Sequence, residues 1–251
     1  MSDDNNDNDN PEEPSEEEGG RRRRRSGPVT KGGDARAAKQ FRTRVKNARG
    51  RKLSSTRWLD RQLNDPYVKK AQMEGYRSRA AYKLIELDER FKFLRPGQRI
   101  VDLGSAPGGW IQVALKYGAT EVIGIDLLEI DPIEGAVILQ KDFTDDDAPA
   151  IVKAEMGGSA DLVLSDLAPW TTGHKTTDHL RIVGLVEMAA QFAFETLKPG
   201  GTFVAKVFQG GTSAELLDQM KGRFAKVRHF KPPSSRSGSP ETFLIATGFK
   251  G

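Results

Sequence analysis

The stretch R-I-V-D-L-G-S-A-P-G-G-W, Arg99 to Trp110, decides the fold. It consists of a short apolar run with one acid, a turn rich in glycine, and the start of a second apolar segment. A glycine-rich turn between a strand and a helix presents backbone N–H groups at a helix N-terminus, where a ligand can approach the main chain closely. The stretch therefore predicts a ligand site at the end of the first strand, with a purely structural tight turn as the alternative.

The spacing of the glycines and of two later acids narrows the class of ligand. A phosphate-binding P-loop needs G-x-x-x-x-G-K-[ST], and a dinucleotide site needs G-x-G-x-x-G; Gly104, Gly108 and Gly109 satisfy neither pattern. Asp126 ends the second predicted strand, about 20 residues after Gly104, where an acid can accept hydrogen bonds from ribose hydroxyls. Asp142 ends the third strand and could reach an adenine amino group. A nucleoside without phosphates fits this set, and S-adenosylmethionine is the common cofactor of that kind.

Strand and helix patterns alternate beyond this turn. Such alternation predicts a mostly parallel sheet with helices on both faces. The last two strands are joined by the Pro/Ser-rich loop K-P-P-S-S-R-S-G-S-P without a helix, so they should pair antiparallel. The expected architecture is α/β, a Rossmann-like fold with a mostly parallel seven-stranded sheet and an antiparallel last strand. The predicted strands are Arg99–Leu103, Glu121–Asp126, Ala136–Leu139, Asp161–Ser165, Thr202–Val207, Lys226–Phe230 and Thr242–Thr247, and the predicted helices are Ser78–Leu94, Gly109–Tyr117, Asp146–Met156, His179–Leu197 and Ser213–Phe224.

Charge is distributed very unevenly along the 251 residues. Residues 1–20 hold nine acids and no Lys or Arg, whereas residues 21–57 hold fifteen Lys and Arg and one acid. Residues 1–52 lack apolar periodicity, so we expect a disordered extension there and one folded domain over residues 53–251. The basic arm has the composition of a nucleic-acid-binding tail, with a solvated tail without a partner as the alternative. Further RNA contacts are expected from basic residues of the first helical segments: Arg57, Arg61, Lys69, Lys70, Arg77 and Arg79.

Composition also excludes several classes of protein. The chain has no Cys and only three scattered His, so neither a disulfide framework nor a metal site is expected. No apolar run approaches the roughly 18 residues of a membrane span. The acidic, polar N-terminus does not resemble a secretory signal. A cytoplasmic protein is the resulting expectation.

Four charged residues stand where this fold places chemistry. Asp166 follows the fourth strand, Glu241 opens the last, and Lys83 lies on the helix before the sheet. Lys206 lies inside an otherwise apolar strand, where an ammonium is costly unless it is paired or functional. Each of the others alone could be a solvated helix lysine, a cap or a surface acid. Together they predict two lysines and two carboxylates converging beside the cofactor.

The segments RSRAAYKL, VDLGSAPGGW, SDLAP, KVFQG and SRSGSPETFLIATG resemble the FtsJ/RrmJ (RlmE) family of ribosomal RNA 2′-O-methyltransferases, over roughly Thr56 to Lys250. The resemblance implies S-adenosylmethionine as cofactor. It also implies methylation of a uridine ribose 2′-hydroxyl in large-subunit (23S) rRNA, on the assembled subunit. The implied catalytic residues are Lys83, Asp166, Lys206 and Glu241, and the implied cofactor contacts are Gly108, Trp110, Asp126, Asp142 and Asp166.

The chain departs from the family pattern at Trp170, where many bacterial relatives have Asn, and in its charged extension. Three other functions stay open at this point: a non-catalytic RNA-binding ribosome-assembly factor, an amino methyltransferase acting on a nucleobase, and a ribose methyltransferase acting on tRNA or on the mRNA cap. The expected partners are large-subunit rRNA and the large subunit, with no membrane and no metal, and the protein is expected to be a monomer.

Overall fold

The computed structural model of the chain describes residues 53–168, 175–209 and 212–251. The N-terminal extension and Trp170 lie outside the described residues. The helices are α1 (Leu53–Asn64), α2 (Pro66–Glu74), α3 (Ala81–Phe91), α4 (Gly109–Lys116), α5 (Ala148–Glu155), α6 (Lys175–Thr196) and α7 (Ala214–Arg223). The strands are β1 (Arg99–Leu103), β2 (Glu121–Asp126), β3 (Ala136–Gln140), β4 (Ala160–Ser165), β5 (Leu197–Phe208), β6 (Phe224–Phe230) and β7 (Glu241–Phe249).

The seven strands form one sheet in the order β3-β2-β1-β4-β5-β7-β6. Strands β1 to β5 pair in parallel, and β7 lies between β5 and β6 and runs antiparallel to both. The predicted α/β fold and its antiparallel end are therefore confirmed. Because β7 runs against its neighbours, its first residue lies at the edge where the parallel strands end: Glu241 is paired with Phe208, the last residue of β5.

Most element boundaries differ from the sequence prediction by a few residues, and two of the differences have local causes. Strand β5 begins at Leu197 rather than Thr202, because Leu197 pairs with Ala160 and the intervening turn forms an irregularity in the ladder. Helix α3 ends at Phe91, since Lys92 adopts a left-handed conformation with φ +54°. The backbone N–H of Leu94 is then bound by the carboxylate of Asp88, at 2.7 Å.

Buried apolar residues fill both faces of the sheet. On one face α3 and α4 pack on the strands through Leu84, Leu87 and Ile111; on the other, α5, α6 and α7 pack through residues such as Val152 and Met220. Side chains alternate across β1, so Val101 and Leu103 belong to the second face, and Ile100 to the first. None of the described helices is both long enough and apolar enough to cross a membrane.

Candidate active site

The turn between β1 and α4 is shaped by two glycines with positive φ, Gly104 (+74°) and Gly108 (+103°). A Cβ atom at Gly104 would lie 2.5 Å from Leu167 Cδ2, and one at Gly108 would lie 2.4 Å from Ile133 Cδ1. Both close atoms are the far ends of flexible side chains, so the positive φ is what favours glycine at these two positions. Gly108 is also the N-cap residue of α4, so the first N–H groups of that helix open onto the turn.

Asp126 and Asp142 lie at the carboxyl edge of the sheet, as their positions at strand ends predict. Asp126 Oδ2 accepts a hydrogen bond from the backbone N–H of Ala106 at 2.8 Å, and Oδ1 accepts one from that of Leu128 at 2.9 Å. Asp142 Oδ1 accepts bonds from the N–H and the hydroxyl of Thr144. Asp126 therefore ties the glycine turn to the loop after β2, and each carboxylate oxygen can accept further bonds.

Trp110 contributes to the site differently from the other residues implied to contact the cofactor. Its indole is 3% exposed, packs near Phe243, and donates from Nε1 to the carbonyl of Ala80 at 2.7 Å. The side chain therefore belongs to the core between α4 and the sheet. Its backbone, in the first turn of α4, is the part that faces the glycine turn.

The four charged side chains form a row in which carboxylates and ammoniums alternate, in the order Glu241, Lys83, Asp166 and Lys206. This row is called the charged chain below. Lys83 Nζ lies 2.9 Å from Glu241 Oε2 and 3.3 Å from Asp166 Oδ2. Lys206 Nζ lies 3.2 Å from Asp166 Oδ1 and donates to the Asp166 backbone carbonyl at 2.9 Å. The side chains of all four are at most 15% exposed. Residues distant in sequence thus form one buried group of two ammoniums and two carboxylates.

The electrostatics of this chain favour its charged form. Burial raises the pKa of the Asp166 carboxyl, but the ammoniums of Lys206 and Lys83 outweigh it and hold that pKa below its ordinary value. Burial lowers the pKa of Lys83, but the carboxylates of Asp166 and Glu241 raise it by more, so the net shift of that pKa is upward. The charged forms of Asp166 and Lys83 are therefore stabilised by their neighbours, in the way that buried charges require.

A fifth ionisable residue, Asp102, lies close by on β1. It is 1% exposed, and neither of its carboxylate oxygens has a hydrogen-bond partner among the described residues; the same holds for the buried hydroxyl of Ser105. Burial, together with the negative charges of Asp166 and Asp126, raises the pKa of Asp102 well above its ordinary value. Sequence analysis assigned Asp102 no role, although an acid inside an apolar strand is the same signal that drew attention to Lys206.

Two of the basic residues expected to bind RNA are engaged within the protein. The guanidinium of Arg77 donates to the backbone carbonyls of Asp131 and Pro132 at 2.7 and 2.8 Å, and so ties the segment before α3 to the loop after β2. Arg79 pairs with Asp65 at 3.2 Å and also donates to the carbonyl of Ser234. These two contacts assign Arg77 and Arg79 a structural role. Lys69 and Lys70 remain exposed on α2.

Comparison with known proteins places this geometry in a family. The model of the FtsJ-like methyltransferase family matches residues 76–249. The chain belongs to the FtsJ-like methyltransferases. It is 76% identical to Ribosomal RNA large subunit methyltransferase E of Maricaulis maris over 226 residues, which cover 90% of this chain and 81% of that protein. The protein of the same name from Paramagnetospirillum magneticum is 59% identical, over 90% of this chain and 96% of its own.

A solved structure extends the similarity to three dimensions. A chain from Plasmodium falciparum that is described as a ribosomal RNA methyltransferase superposes with a TM-score of 0.63 and 34% identity; the match covers 70% of this chain and all of that one. The resemblance inferred from the five sequence segments is therefore confirmed at the level of the family. Among the described residues of this methyltransferase, no group of three or more His, Asp or Glu side chains is placed to hold a metal ion.

Proposed function

We propose that this methyltransferase transfers a methyl group from S-adenosylmethionine to the 2′-hydroxyl of a uridine ribose in large-subunit rRNA, on the assembled subunit. The observation that carries the proposal is the buried chain Glu241–Lys83–Asp166–Lys206 at the carboxyl edge of the sheet. Methyl transfer to a base nitrogen that carries a free electron pair would not call for a buried lysine. Transfer to a hydroxyl, whose oxygen must be oriented and must lose a proton, gives Lys206 a chemical role.

The residues at the carboxyl edge of the sheet have the chemistry to hold the proposed cofactor. When bound, S-adenosylmethionine supplies a methyl group made electrophilic by a positively charged sulfur. Asp126 would accept hydrogen bonds from its ribose, Asp142 from its adenine amino group, and Gly108 and Trp110 would face it with their backbone.

The unpartnered carboxylate of Asp102 tests this fit. A buried carboxyl without a partner is expensive to ionise, which is why its pKa is raised. A ligand carrying an ammonium would offset that cost and give a partner to the acid, as it would to the unmet hydroxyl of Ser105. The amino-acid portion of S-adenosylmethionine carries such a group.

Lys206 is the residue that we infer to contact the ribose oxygen. Its Nζ is fixed by two atoms of Asp166, the side-chain oxygen and the backbone carbonyl. As an ammonium it would orient the hydroxyl by a hydrogen bond, and the proton would leave to water; as a neutral amine it would accept the proton itself. Positioning alone can lower the barrier by about 7–11 kcal/mol. A general base raises the rate roughly 10²–10⁴-fold, which corresponds to about 3–5 kcal/mol. Orientation is therefore the larger contribution.

The choice of RNA rests on the relatives and on charge. The two curated relatives cited above carry the name Ribosomal RNA large subunit methyltransferase E. The basic run within residues 21–57 provides a sequence-independent attraction to the RNA backbone. Uridine as the target and the assembled subunit as the substrate follow from the resemblance to the FtsJ/RrmJ family.

The proposal is tested with the full-length protein, methyl-labelled S-adenosylmethionine and large subunits from cells that lack the activity, with free rRNA in parallel. The RNA is digested to nucleosides, and the labelled nucleoside is identified. We expect label in 2′-O-methyluridine, mainly from subunits. Lys206→Met should lose most of this label while binding the cofactor as before, and Lys226→Met, an exposed lysine on β6, serves as the matched control.

Other outcomes separate the alternatives. Label in a base-methylated nucleoside would contradict the role given to Lys206. Label in tRNA or in capped mRNA, added as competitors, would keep the chemistry and change the substrate. Cofactor binding without transfer to any RNA would favour the non-catalytic assembly factor.

A further inference from the structure

The loop between β6 and β7, residues 231–240, does more than connect two strands. Its composition is that of an exposed connection, yet Ser234 and Ser235 in its middle are 1% and 7% exposed. The loop leads into Glu241, the first residue of β7 and one of the two acids of the charged chain. The backbone N–H of Glu241 is bound by the hydroxyl of Ser239 at 3.2 Å. Its buried centre therefore lies against the candidate active site.

Ser235 contacts that acid directly. Its hydroxyl donates a hydrogen bond to Glu241 Oε1 at 2.8 Å, while Glu241 Oε2 accepts the bond from Lys83 at 2.9 Å. Each carboxylate oxygen thus has its own partner. A carboxylate held only by Lys83 could rotate about its last side-chain bond, whereas two partners on two oxygens fix its plane.

The loop that carries Ser235 is itself anchored to α3. The carboxylate of Glu86 accepts a hydrogen bond from the backbone N–H of Ser234 at 2.7 Å, and Arg79 donates to the carbonyl of the same residue. Glu86 lies three positions after Lys83, on the same helix. One helix therefore positions both the ammonium that binds Glu241 and the loop that binds it from the other side.

An ion pair fixes Arg236, the residue that follows Ser235 in the loop. Arg236 Nη2 lies 3.3 Å from Asp65 Oδ2, and Asp65 also pairs with Arg79. Asp65 caps the first turn of α2 by accepting from the N–H of Tyr67. The loop is thus tied on both sides of Ser235 to the helices that precede the sheet, which leaves the hydroxyl little freedom to move away from Glu241.

We propose that Ser235 is a positioning residue for methyl transfer: its hydroxyl fixes the carboxylate of Glu241, which fixes Lys83 and, through Asp166, the ammonium of Lys206. The inference rests on the function proposed above, because it assigns Ser235 to the same reaction. Ser235 does not touch Lys206, so its removal should displace the reactive group without removing it.

The test compares three single variants of the full-length protein. Ser235→Ala removes the hydroxyl, Ser235→Thr restores one, and Ser234→Ala removes a neighbouring buried hydroxyl that has no partner among the described residues. For Ser235→Ala we expect kcat to fall about tenfold, which is the size of effect that one lost hydrogen bond to a charged group produces. KM for the subunit and Kd for the cofactor should stay within about twofold, because neither ligand is bound by Ser235 in this account. Ser235→Thr should recover most of the rate, and Ser234→Ala should match the wild type.

Three results would overturn the inference. The first is an unchanged kcat in Ser235→Ala. The second is an equal loss of kcat in Ser234→Ala, which would indicate an effect of loop packing. The third is a loss of kcat in Ser235→Ala that Ser235→Thr does not recover.

A stability measurement separates this inference from the proposed function. Ser235→Ala and Glu241→Gln are combined in a double-mutant cycle on the free energy of unfolding, which needs no activity. Coupling between the two changes is expected, and strictly additive losses would refute the contact on which the inference depends. A wild-type protein that methylates no ribose would refute the proposed function, whatever the cycle shows.

Discussion

The two buried lysines should differ in what their removal does to stability and to activity. Lys83 contacts two carboxylates, Asp166 and Glu241, whereas Lys206 contacts one among the described residues, that of Asp166. Replacing either lysine with methionine keeps the apolar stem and removes the charge. Lys83→Met leaves both acids short of a cation. Lys206→Met leaves Asp166 with Lys83 still at 3.3 Å.

The expected magnitudes follow from burial and distance. At the 3.2 Å between Lys206 Nζ and Asp166 Oδ1, the attraction is about 5 kcal/mol for an effective dielectric constant of about 20. Desolvation of each ion offsets much of it, but removal of one partner exposes the uncompensated cost and typically destabilises by about 3–5 kcal/mol. We expect that full loss for Lys83→Met. For Lys206→Met we expect about 1–3 kcal/mol, since Asp166 keeps one ammonium.

The order of activity losses should be different. Lys206→Met should reduce kcat by at least about 100-fold, because the group that we propose to orient or deprotonate the hydroxyl is gone. Cofactor affinity should be nearly unchanged in the same variant, since Asp166 is the one proposed cofactor contact beside Lys206 and it keeps the ammonium of Lys83 at 3.3 Å. Urea denaturation gives the free energies of unfolding, calorimetry the cofactor affinity, and methyl transfer to subunits the kcat, with Lys226→Met as the control for the loss of a lysine.

Two results would refute this reasoning. If Lys206→Met destabilised the protein as much as Lys83→Met, the two lysines could not differ in the number of carboxylates that each neutralises. If Lys206→Met retained kcat, Lys206 would be a structural cation and the reactive group would have to be sought elsewhere.

Three further predictions concern pH, the glycine turn and the basic arm. The folded-state pKa of Asp166 lies below its ordinary value, so its contribution to stability is present above pH ~4 and is lost as the pH falls through the folded pKa. Urea titrations at several pH values should show this loss in the wild type and not in Asp166→Asn. Gly108→Ala must hold φ +103° with a side chain, so we expect a stability loss of about 1–3 kcal/mol in the same titrations and weaker cofactor binding by calorimetry. Deletion of residues 1–52 should weaken RNA binding and flatten its dependence on salt, as measured by filter binding from 50 to ~200 mM salt; an unchanged slope would exclude the arm from the interface.

Sequence patterns predicted the fold well because the central parallel strands, β1, β2, β4 and β5, are buried on both faces. Such strands are nearly continuous apolar runs, and a charged residue within one stands out. This contrast singled out Lys206 on β5. Asp102 on β1 carries the same signal, but the glycine turn that follows drew the interpretation towards a ligand and away from the acid itself. Only the structure revealed that Asp102 has no partner among the described residues.

Contacts between distant segments were beyond the sequence. Arg77 and Arg79 are basic residues of the kind that bind RNA, and the sequence around them does not indicate that they donate to the carbonyls of Pro132 and Ser234. Trp110 stands at a helix start beside the glycines, yet its indole is bound by Ala80 on the core side. Ser235 lies in a loop whose composition is typical of a solvated connection. In each case the decisive partner is a backbone or carboxylate oxygen that sequence patterns do not reveal.

The position of β7 explains why four charges so far apart in sequence form one site. In a purely parallel sheet the last strand would end at the carboxyl edge, and an acid at its start would lie at the opposite edge, far from Asp166. Because β7 runs antiparallel between β5 and β6, its first residue lies beside the ends of β4 and β5, where Asp166 and Lys206 are found. The pair Lys83–Glu241 then joins the helix before the sheet to its last strand. The charged chain can therefore be complete only after β7 has joined the sheet. A truncated or misfolded protein would lack Glu241 at this site, and Lys206 would lose its orientation.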